Sequence, residues 1–529
     1  MKRKFIALTC AAVTALSVCS FTGCGDTGEK YDPLDPDQIK IVVSNLGFGT
    51  NQFFAIAEAF ENTHPGKTVV IEETILSSAQ ISQLEAGSFI GDICMFNDDV
   101  LWKKWRSGIM TNLDDVVSAI PDGEDKTIEQ KTDQTLIHSY KVSDGHYYSV
   151  PWINENSAYV YNETTLNTLL GEGAWELPKT TQELFALCER VKSAGGYGFV
   201  WNSAYFNTGV YPAQYSGVEA IKRYNQGEYW DETTQTWKIS DAENVQCLSE
   251  NEGHLRAMKI IERIGKEYSH QYCRNMTFIN AQAAWAGIPY ADDAKLSVFM
   301  PNGDWTYNET KEYLDETGHV VGYMQYPVIS DIVDTLSFYT HGETPFYSLS
   351  EQEKAAYDTT LRAIVDYVDG DTQTVPTYNG VAVPEADIET VREARSLIAG
   401  KCQGQAFIPS NSTKKELAKE FLVFMASDMS VRLYSQKTNG LSPYVSESTF
   451  NSITFQSKFM NEVLDVLAKT KKEITLYSDV RTSGFYYPRT SYAQAFTGEK
   501  ITAEALLAKD LEYFKEQWST ILKNAGISN

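Results

Sequence analysis

The sequence is short of basic residues and of cysteine, and both shortages exclude classes of protein. Its 529 residues include 45 Lys and Arg against 70 Asp and Glu, which gives a net charge of −25. A surface this acidic repels nucleic acid and anionic lipid, so neither is expected as the main ligand. Of the eight cysteines, five follow Cys24, and their odd number and wide spacing argue against a zinc site or a disulfide-rich fold. Most of these five are expected to be buried thiols, although one long-range disulfide is possible.

Common catalytic motifs are missing as well. The seven histidines form no His-Glu-x-x-His motif, and the chain has neither Gly-x-Ser-x-Gly nor a phosphate-binding glycine loop. Adjacent acids such as Asp98 and Asp99 could suggest a glycosidase, but neighbours in sequence rarely flank one scissile bond. The acidic group Asp366, Asp369 and Asp371 could bind calcium, although it lacks EF-hand spacing and a solvated loop explains it better. We therefore expect no metal, no cofactor and no enzymatic activity.

A hydrophobic run occupies the amino terminus. Three basic residues at 2–4 precede an apolar stretch over 5–18, which is too short for a permanent membrane span of roughly 20 residues and predicts a secretory signal over 1–23. The small residues before Cys24 resemble a bacterial lipobox, where lipid joins the cysteine thiol after cleavage. An ordinary signal peptide with an incidental cysteine is the alternative. Residues 24–37 are acidic and contain two prolines, which predicts a short tether.

Strand and helix patterns alternate from residue 38 onward. Apolar runs predict strands at 39–43, 69–72 and 93–96, and apolar periodicity predicts helices at 51–63 and around 81–86. This βαβαβ order implies a parallel sheet covered by helices, with ligands bound beyond the carboxyl ends of the strands. Asn45, Asp98 and Asp99 follow such strands and are candidate ligand contacts, although each could instead cap a helix.

Aromatic residues are abundant, with 31 Tyr and 10 Trp. Most must lie in the core, but on a secreted protein they also suit sugar recognition. Flat rings pack on the C–H faces of a pyranose, while carboxylates and amides bind its hydroxyls. About 500 residues exceed what one core can hold, so two or more globular units are expected.

Further motifs occur along the chain in a fixed order: Gly-Asp-Ile at 91–93, Asp-Gly-His-Tyr-Tyr-Ser-Val-Pro at 144–151, Tyr-Val-Tyr-Asn at 159–162, Leu-Pro-Lys-Thr-Thr-Gln-Glu-Leu at 177–184, Pro-Ser-Asn-Ser-Thr at 409–413, Asn-Gly-Leu-Ser-Pro at 439–443 and Ser-Gly-Phe-Tyr-Tyr at 483–487. In this order they resemble the extracellular solute-binding proteins of sugar ABC importers, the maltose-binding-protein-like family 1. The segment 331–399 has no counterpart in that resemblance. Gly47 and Phe48 stand where the family has charged ligand contacts, which leaves the particular sugar open.

The resemblance implies an α/β, two-lobe periplasmic-binding-protein-like fold of type II. Each lobe would be a mainly parallel sheet flanked by helices, and the chain would cross between the lobes about three times. Residues 38–152 and 404–448 would form the first lobe. Residues 153–403, which include the extra segment at about 331–399, and 449–529 would form the second.

The same resemblance implies ligand contacts at the lobe interface. Glu155 would accept hydrogen bonds from sugar hydroxyls, although a solvated hinge residue is the alternative. The implied aromatic contacts, each of which could instead pack in the core, are Trp152, Trp201, Tyr205, Trp285, Tyr290, Tyr486 and Tyr487.

The implied function is capture of an oligosaccharide in the interlobe cleft by a monomer that is lipid-anchored on the outer face of the bacterial cell membrane. Closure would then present the loaded protein to the permease of an ABC importer. A surface glycoside hydrolase, or an adhesin that captures polysaccharide without transport, is the alternative.

Overall fold

The structure is a computed structural model that describes residues 30–45, 47–97, 101–142, 144–201, 210–225, 228–239, 251–401, 404–444, 447–450, 452–455, 457–473, 496 and 501–525. It is a mixed α/β protein with two lobes, each built on a sheet flanked by helices. None of the helices in these ranges is long and apolar enough to cross a membrane.

Strands of both sheets and of two small hairpins alternate with helices along the chain. The strands are β1 (Gln38–Val43), β2 (Thr68–Glu73), β3 (Ile93–Asn97), β4 (Val150–Pro151), β5 (Glu155–Asn162), β6 (Tyr197–Phe199), β7 (Glu228–Asp231), β8 (Thr236–Ile239), β9 (Ser297–Gly303), β10 (Val321–Met324), β11 (Thr377–Tyr378), β12 (Val381–Ala382), β13 (Leu397–Lys401), β14 (Gly404–Phe407) and β15 (Lys471–Glu473).

The helices lie on both faces of the sheets. They are α1 (Asn51–Thr63), α2 (Ser78–Glu85), α3 (Asp114–Val117), α4 (Ile128–Lys131), α5 (Gln134–Ser139), α6 (Glu163–Leu170), α7 (Thr181–Ser193), α8 (Val210–Ser216), α9 (Val218–Asn225), α10 (Glu252–Arg263), α11 (Phe278–Trp285), α12 (Thr306–Glu309), α13 (Lys311–Thr317), α14 (Glu351–Asp369), α15 (Glu385–Arg395), α16 (Lys415–Met425), α17 (Asp428–Thr438), α18 (Glu447–Phe450), α19 (Lys458–Leu467) and α20 (Ala503–Ala525). Short 3₁₀ segments occur at Leu101–Ser107, Cys273–Asn275, Ser330–Thr335 and Phe346–Ser348, and a π turn follows α10 at Ile264–Tyr268.

The first lobe contains the five-stranded sheet, in the order β2-β1-β3-β14-β4. The strand β1 runs parallel to β2 and β3, as the βαβαβ pattern predicts. The helix α1 has the predicted bounds because Phe53, Ile56 and Phe60 recur at helical spacing and are buried against the sheet. The late strand β14 runs antiparallel to β3 and joins β4 to the sheet.

The second lobe contains the six-stranded sheet, in which β15, β13, β5, β9 and β6 lie side by side and β10 also pairs with β5. As expected of a mainly parallel sheet, five of its six strands run in the same direction, and β5 is the exception because it runs antiparallel to β9, β10 and β13. The parallel pairs are β6 with β9 and β13 with β15. The direction of β5 follows from the route of the chain. β5 begins at the crossing from the first lobe and runs away from it, whereas β9 and β13 run toward the first lobe.

The chain passes between the sheets at three places. It leaves the first lobe between β4 and β5, returns between β13 and β14, and leaves again between α17 and α19. The predicted boundaries at 152 and 403 therefore fall between strands of different sheets.

The extra segment, residues 331–399, packs on the second lobe. Its long helix α14 begins with a capping box at Ser350 and ends at Gly370 in the left-handed conformation. The ammonium group of Lys179 lies 2.7 Å from Asp366 and 3.1 Å from Asp369, and it also contacts Asp371. Cationic side chains thus bind the acidic group considered for calcium, and no cluster suited to a metal ion occurs within the described ranges.

Candidate functional site

The strand ends of the two sheets meet at the lobe junction. In the first lobe, β3 ends at Asn97 opposite Gly404, the first residue of β14. In the second lobe, the end of β9 at Gly303 lies opposite Ser157, near the start of β5. Both edges are thus held together by the crossings from β4 to β5 and from β13 to β14. Side chains from either lobe can reach a shared space at this junction.

The loop after β1 contributes one wall. Asn45 is exposed at the end of the strand, as expected of a ligand contact. Gly47 has a φ of +74°, and a Cβ there would lie 2.8 Å from Oε1 of Glu309 in the second lobe. Glycine therefore permits both the backbone conformation and the close approach of the lobes. Phe48 is buried, and its ring centroid is 6.5 Å from that of Tyr434.

Trp152 lies at the first crossing, on the first lobe's core. Its ring packs edge-on against Phe53, with centroids 5.4 Å apart. The indole is buried, yet its Nε1–H has no hydrogen-bond partner among the described residues. The hydroxyl of Tyr434 is likewise buried and unpartnered in that part of the chain. Each such group costs about 1–3 kcal/mol when left unsatisfied, and a polar ligand at the junction would offer both of them a hydrogen-bond partner.

Acidic residues lie beside these donors. Glu155 is only 6% exposed, which excludes the solvated-hinge alternative. Burial raises the pKa of the Tyr434 phenol, and the carboxylates of Asp304 and Glu155 raise it further. This shift places both carboxylates near the phenol. The junction therefore combines neutral donors with carboxylate acceptors, which suits a hydroxylated ligand.

Tyrosine hydroxyls fix the backbone around the junction. Tyr444 donates to the carbonyl of Pro151 and Tyr140 to that of Gly404, so the first lobe holds both of the sheet-to-sheet crossings. From the second lobe, Tyr323 donates to the carbonyl of Asn156 over 3.1 Å. These bonds position the junction residues on rigid strand ends rather than on free loops.

The tryptophans predicted for the lobe interface divide between two edges. Trp201 follows β6 on the junction side, with its ring fully buried against Phe199 at 6.0 Å. Trp285 lies at the opposite edge, where its Nε1–H donates to the carbonyl of Val298 over 3.0 Å. Val298 is the second residue of β9, whose last residue Gly303 is at the junction. Trp285 therefore packs in the second lobe's core, away from the first lobe.

Tyr290 also lies at that distant edge. Its backbone pairs with Asp293, whose carboxylate accepts a 2.7 Å hydrogen bond from Tyr197 at the start of β6. Seven residues of β9 separate this cluster from the junction, roughly 20 Å of strand. The structure thus places Asn45, Trp152, Glu155 and Trp201 at strand ends on the junction side of the two sheets and Tyr290 at the opposite edge. Asp98, Asp99, Tyr205, Tyr486, Tyr487 and the lipidation candidate Cys24 lie outside the described residues.

Four junction residues have no counterpart in the sequence-based prediction, namely Asp304, Trp305, Glu309 and Tyr434. Tyr434 comes from α17, and Glu309 from α12, and no local pattern marks either of them. Trp305 directly follows Asp304 after the end of β9, and it packs in the core cluster of the first lobe. A signal for Trp305 did exist, because Trp152 and Trp201 also follow strands.

Comparison with known proteins agrees with this geometry. Residues 50–246 match the model of the bacterial extracellular solute-binding proteins. The matched segment is less than half of the chain, and this part of the chain is similar to that family. The GacH receptor of Streptomyces glaucescens GLA.O, which was solved unliganded and with acarbose, has a similar fold, with a TM-score of 0.56. The two proteins are 14% identical, and the match covers 92% of this chain and 98% of the receptor. No curated protein sequence matches it.

Proposed function

We propose that the solute-binding protein captures an oligosaccharide in the cleft at the lobe junction. The observation that carries the proposal is a pair of buried donors, Trp152 Nε1–H and the Tyr434 hydroxyl, which have no partner among the described residues and lie beside buried carboxylates. Sugar hydroxyls both accept from such donors and donate to carboxylates. Asn45 adds an exposed amide at the rim.

The family and the fold support this ligand class. The GacH receptor binds acarbose, a ligand named with its structure, and shares the two-lobe fold over nearly its whole length. In a two-lobe protein, ligand that contacts both lobes stabilises closure through its higher affinity for the closed state. Gly47 and Glu309 already bring the lobes into contact beside the junction.

Delivery to the membrane completes the proposed role. The loaded protein would present a joint surface of both lobes to the permease of an ABC importer. Lipid attached to Cys24 would anchor the protein, and residues 25–37 would form the tether. The protein would act as a monomer. Stable anchoring needs more than one acyl chain, because each buried methylene contributes only about 0.8 kcal/mol.

Calorimetry with the chain from Gly25 onward tests the ligand class. The panel contains soluble gluco-, xylo-, manno- and maltooligosaccharides of two to six units, and each mixture is analysed for products afterwards. Saturable one-site binding of an intact sugar is expected. Shortened products would instead indicate a glycosidase, and binding of insoluble polymer alone would indicate an adhesin.

Two conservative variants locate the cleft. Trp152→Phe and Tyr434→Phe each keep a ring but remove a donor, which should weaken the affinity for that sugar by up to about tenfold. Tyr290→Phe removes the same kind of hydroxyl at the distant edge and should leave the affinity unchanged. Equal losses in all three variants, or none in any, would refute the assignment of the cleft.

A further inference from the structure

A second cavity lies between the lobes, with a volume of about 480 Å³. It is lined by Asn156 but not by Glu155, Trp152 or Tyr434. Glu155 and Asn156 are successive residues of β5, and successive side chains of a strand point to opposite sides. The cavity is therefore lined by the neighbour of Glu155 and has none of the proposed cleft residues in its lining.

The walls of this cavity come from both lobes. Gln134 in α5 belongs to the first lobe, and Phe450 and Thr470 flank helix α19 of the second. Ser442, in the third crossing between the lobes, closes one end. The cavity is thus framed by the connections about which the lobes would rotate.

The floor carries an unsatisfied acceptor. Asn156 is fully buried, and its Nδ2 donates to Oδ2 of Asp304 over 2.6 Å while its backbone N–H donates to Oδ1 over 3.2 Å. A carboxylate only accepts, so this contact fixes the orientation of the amide. The Oδ1 atom of Asn156 is left without a hydrogen-bond partner in the described part of the chain.

The charged groups around the cavity are already neutralised or engaged. The ammonium of Lys131 is bound by Glu124 and lies 2.9 Å from Asp428. The carboxylate of Asp133 accepts from the backbone N–H of Leu136, 2.8 Å away, as a helix cap. The Lys131 charge is thus paired, and the Asp133 carboxylate is engaged as a cap. The remaining polar lining consists of amides and hydroxyls.

We propose that this cavity is a second binding site, for a small neutral polyol or monosaccharide. One hydroxyl would donate to Oδ1 of Asn156, the others would bind the amide and hydroxyl groups of the walls, and carbon atoms would pack on Phe450. The volume lies within the roughly 300–1,000 Å³ of small-molecule sites. The proposal does not depend on which sugar binds in the cleft.

Occupancy of this site would be linked to the angle between the lobes, because its walls belong to both. A solute that fits the cavity at the distance between the lobes seen in this structure stabilises this arrangement of the lobes. By thermodynamic reciprocity, the cavity solute and the cleft ligand then change each other's affinity by the same factor.

Isothermal calorimetry with myo-inositol on the chain from Gly25 onward tests the site. Two variants fill the cavity from opposite lobes, Thr470→Trp and Gln134→Trp, and circular dichroism confirms that each is folded. Lys469→Trp is the matched control, since Lys469 is exposed beside Thr470 and does not line the cavity. Trp152→Phe is the control for the cleft.

The proposal predicts that myo-inositol binds to one site, that either filled variant weakens it at least tenfold, and that both controls bind as the wild type does. No binding by the wild type would overturn it. A loss in Trp152→Phe with no loss in the filled variants would also overturn it, because the polyol would then occupy the cleft. These outcomes are independent of the oligosaccharide panel, so failure of one proposal is distinguishable from failure of the other.

Discussion

Asp358 should make the stability of this protein fall as the pH rises from about 4 to about 6. The residue lies on α14 of the extra segment, is buried, and accepts 2.7 Å hydrogen bonds from the hydroxyls of Thr180 and Ser330. Burial raises the pKa of its carboxyl to about 6, since the two hydrogen bonds offset only part of the cost of desolvation. The unfolded chain has the ordinary value of about 3.9.

The sign follows from proton binding. Between these two pKa values the folded state keeps the proton that the unfolded state has released, so the free energy of unfolding decreases with pH. A difference of about two pKa units corresponds to about 3 kcal/mol at roughly 1.36 kcal/mol per unit. Asp358→Asn removes this titration. Relative to the wild type, the variant should therefore gain about 3 kcal/mol in stability from pH 4 to pH 7.

Urea unfolding of both chains at half-unit pH steps measures this difference. Asp369→Asn is the control, at the end of the same helix, where Arg395 binds both carboxylate oxygens at 3.0 Å. Burial raises the pKa of Asp369, but the pairing with Arg395 outweighs it and the pKa is lowered overall. The ionised carboxylate therefore stabilises the fold fully above pH 4, and this contribution is lost as the pH falls further. The control should be destabilised by a constant amount between pH 5 and pH 7. A pH-independent difference for Asp358→Asn would refute the reasoning.

Other predictions concern the anchor, the crossing and the core. Cys24→Ala should abolish acyl labelling and membrane association, and unchanged labelling would exclude the lipid anchor. Tyr444→Phe leaves the Pro151 carbonyl without its donor and should lower the urea-unfolding free energy by about 1–3 kcal/mol; an unchanged value would contradict the role of that bond. Trp285→Ala should cost about 3–5 kcal/mol of stability while the sugar affinity measured on the folded protein stays the same, whereas a selective loss of affinity would return Trp285 to the cleft.

Local patterns predicted the elements of the first lobe well. Apolar spacing within 51–63 and the following His-Pro-Gly gave the bounds of α1, because burial of one face and a proline stop are both local properties. The cap of α7 also follows from the sequence, since the Thr180 side chain accepts from the Glu183 backbone N–H. Thr180 and Glu183 have the spacing of a capping box, but the box is incomplete, because the Glu183 carboxylate accepts from the backbone N–H of Lys179 and pairs with Arg362. Arg362 belongs to the distant extra segment, which no local pattern could reveal.

Burial of the tryptophans could not be predicted from their positions. Trp152 and Trp201 both follow strands, and both are buried at the junction. A ring that is buried beside a cleft and one that is buried in a core have the same local signature, an aromatic residue after an apolar run. The Nε1–H of Trp152 has no hydrogen-bond partner in the described part of the chain, and that is a property of the assembled lobe, not of the local sequence.

The direction of β9 explains why the site prediction placed residues at the wrong end of a strand. Trp285 and Tyr290 precede β9, whereas Asp304 and Trp305 follow it, and the two groups therefore lie at opposite edges of the sheet. Because β9 runs antiparallel to β5, which leaves the junction, β9 must run toward it. This relation is set by pairing across more than a hundred residues and has no local signal. Given that pairing, the sequence alone would have directed the search to the residues after β9, where Trp305 stands beside the buried carboxylates of the cleft.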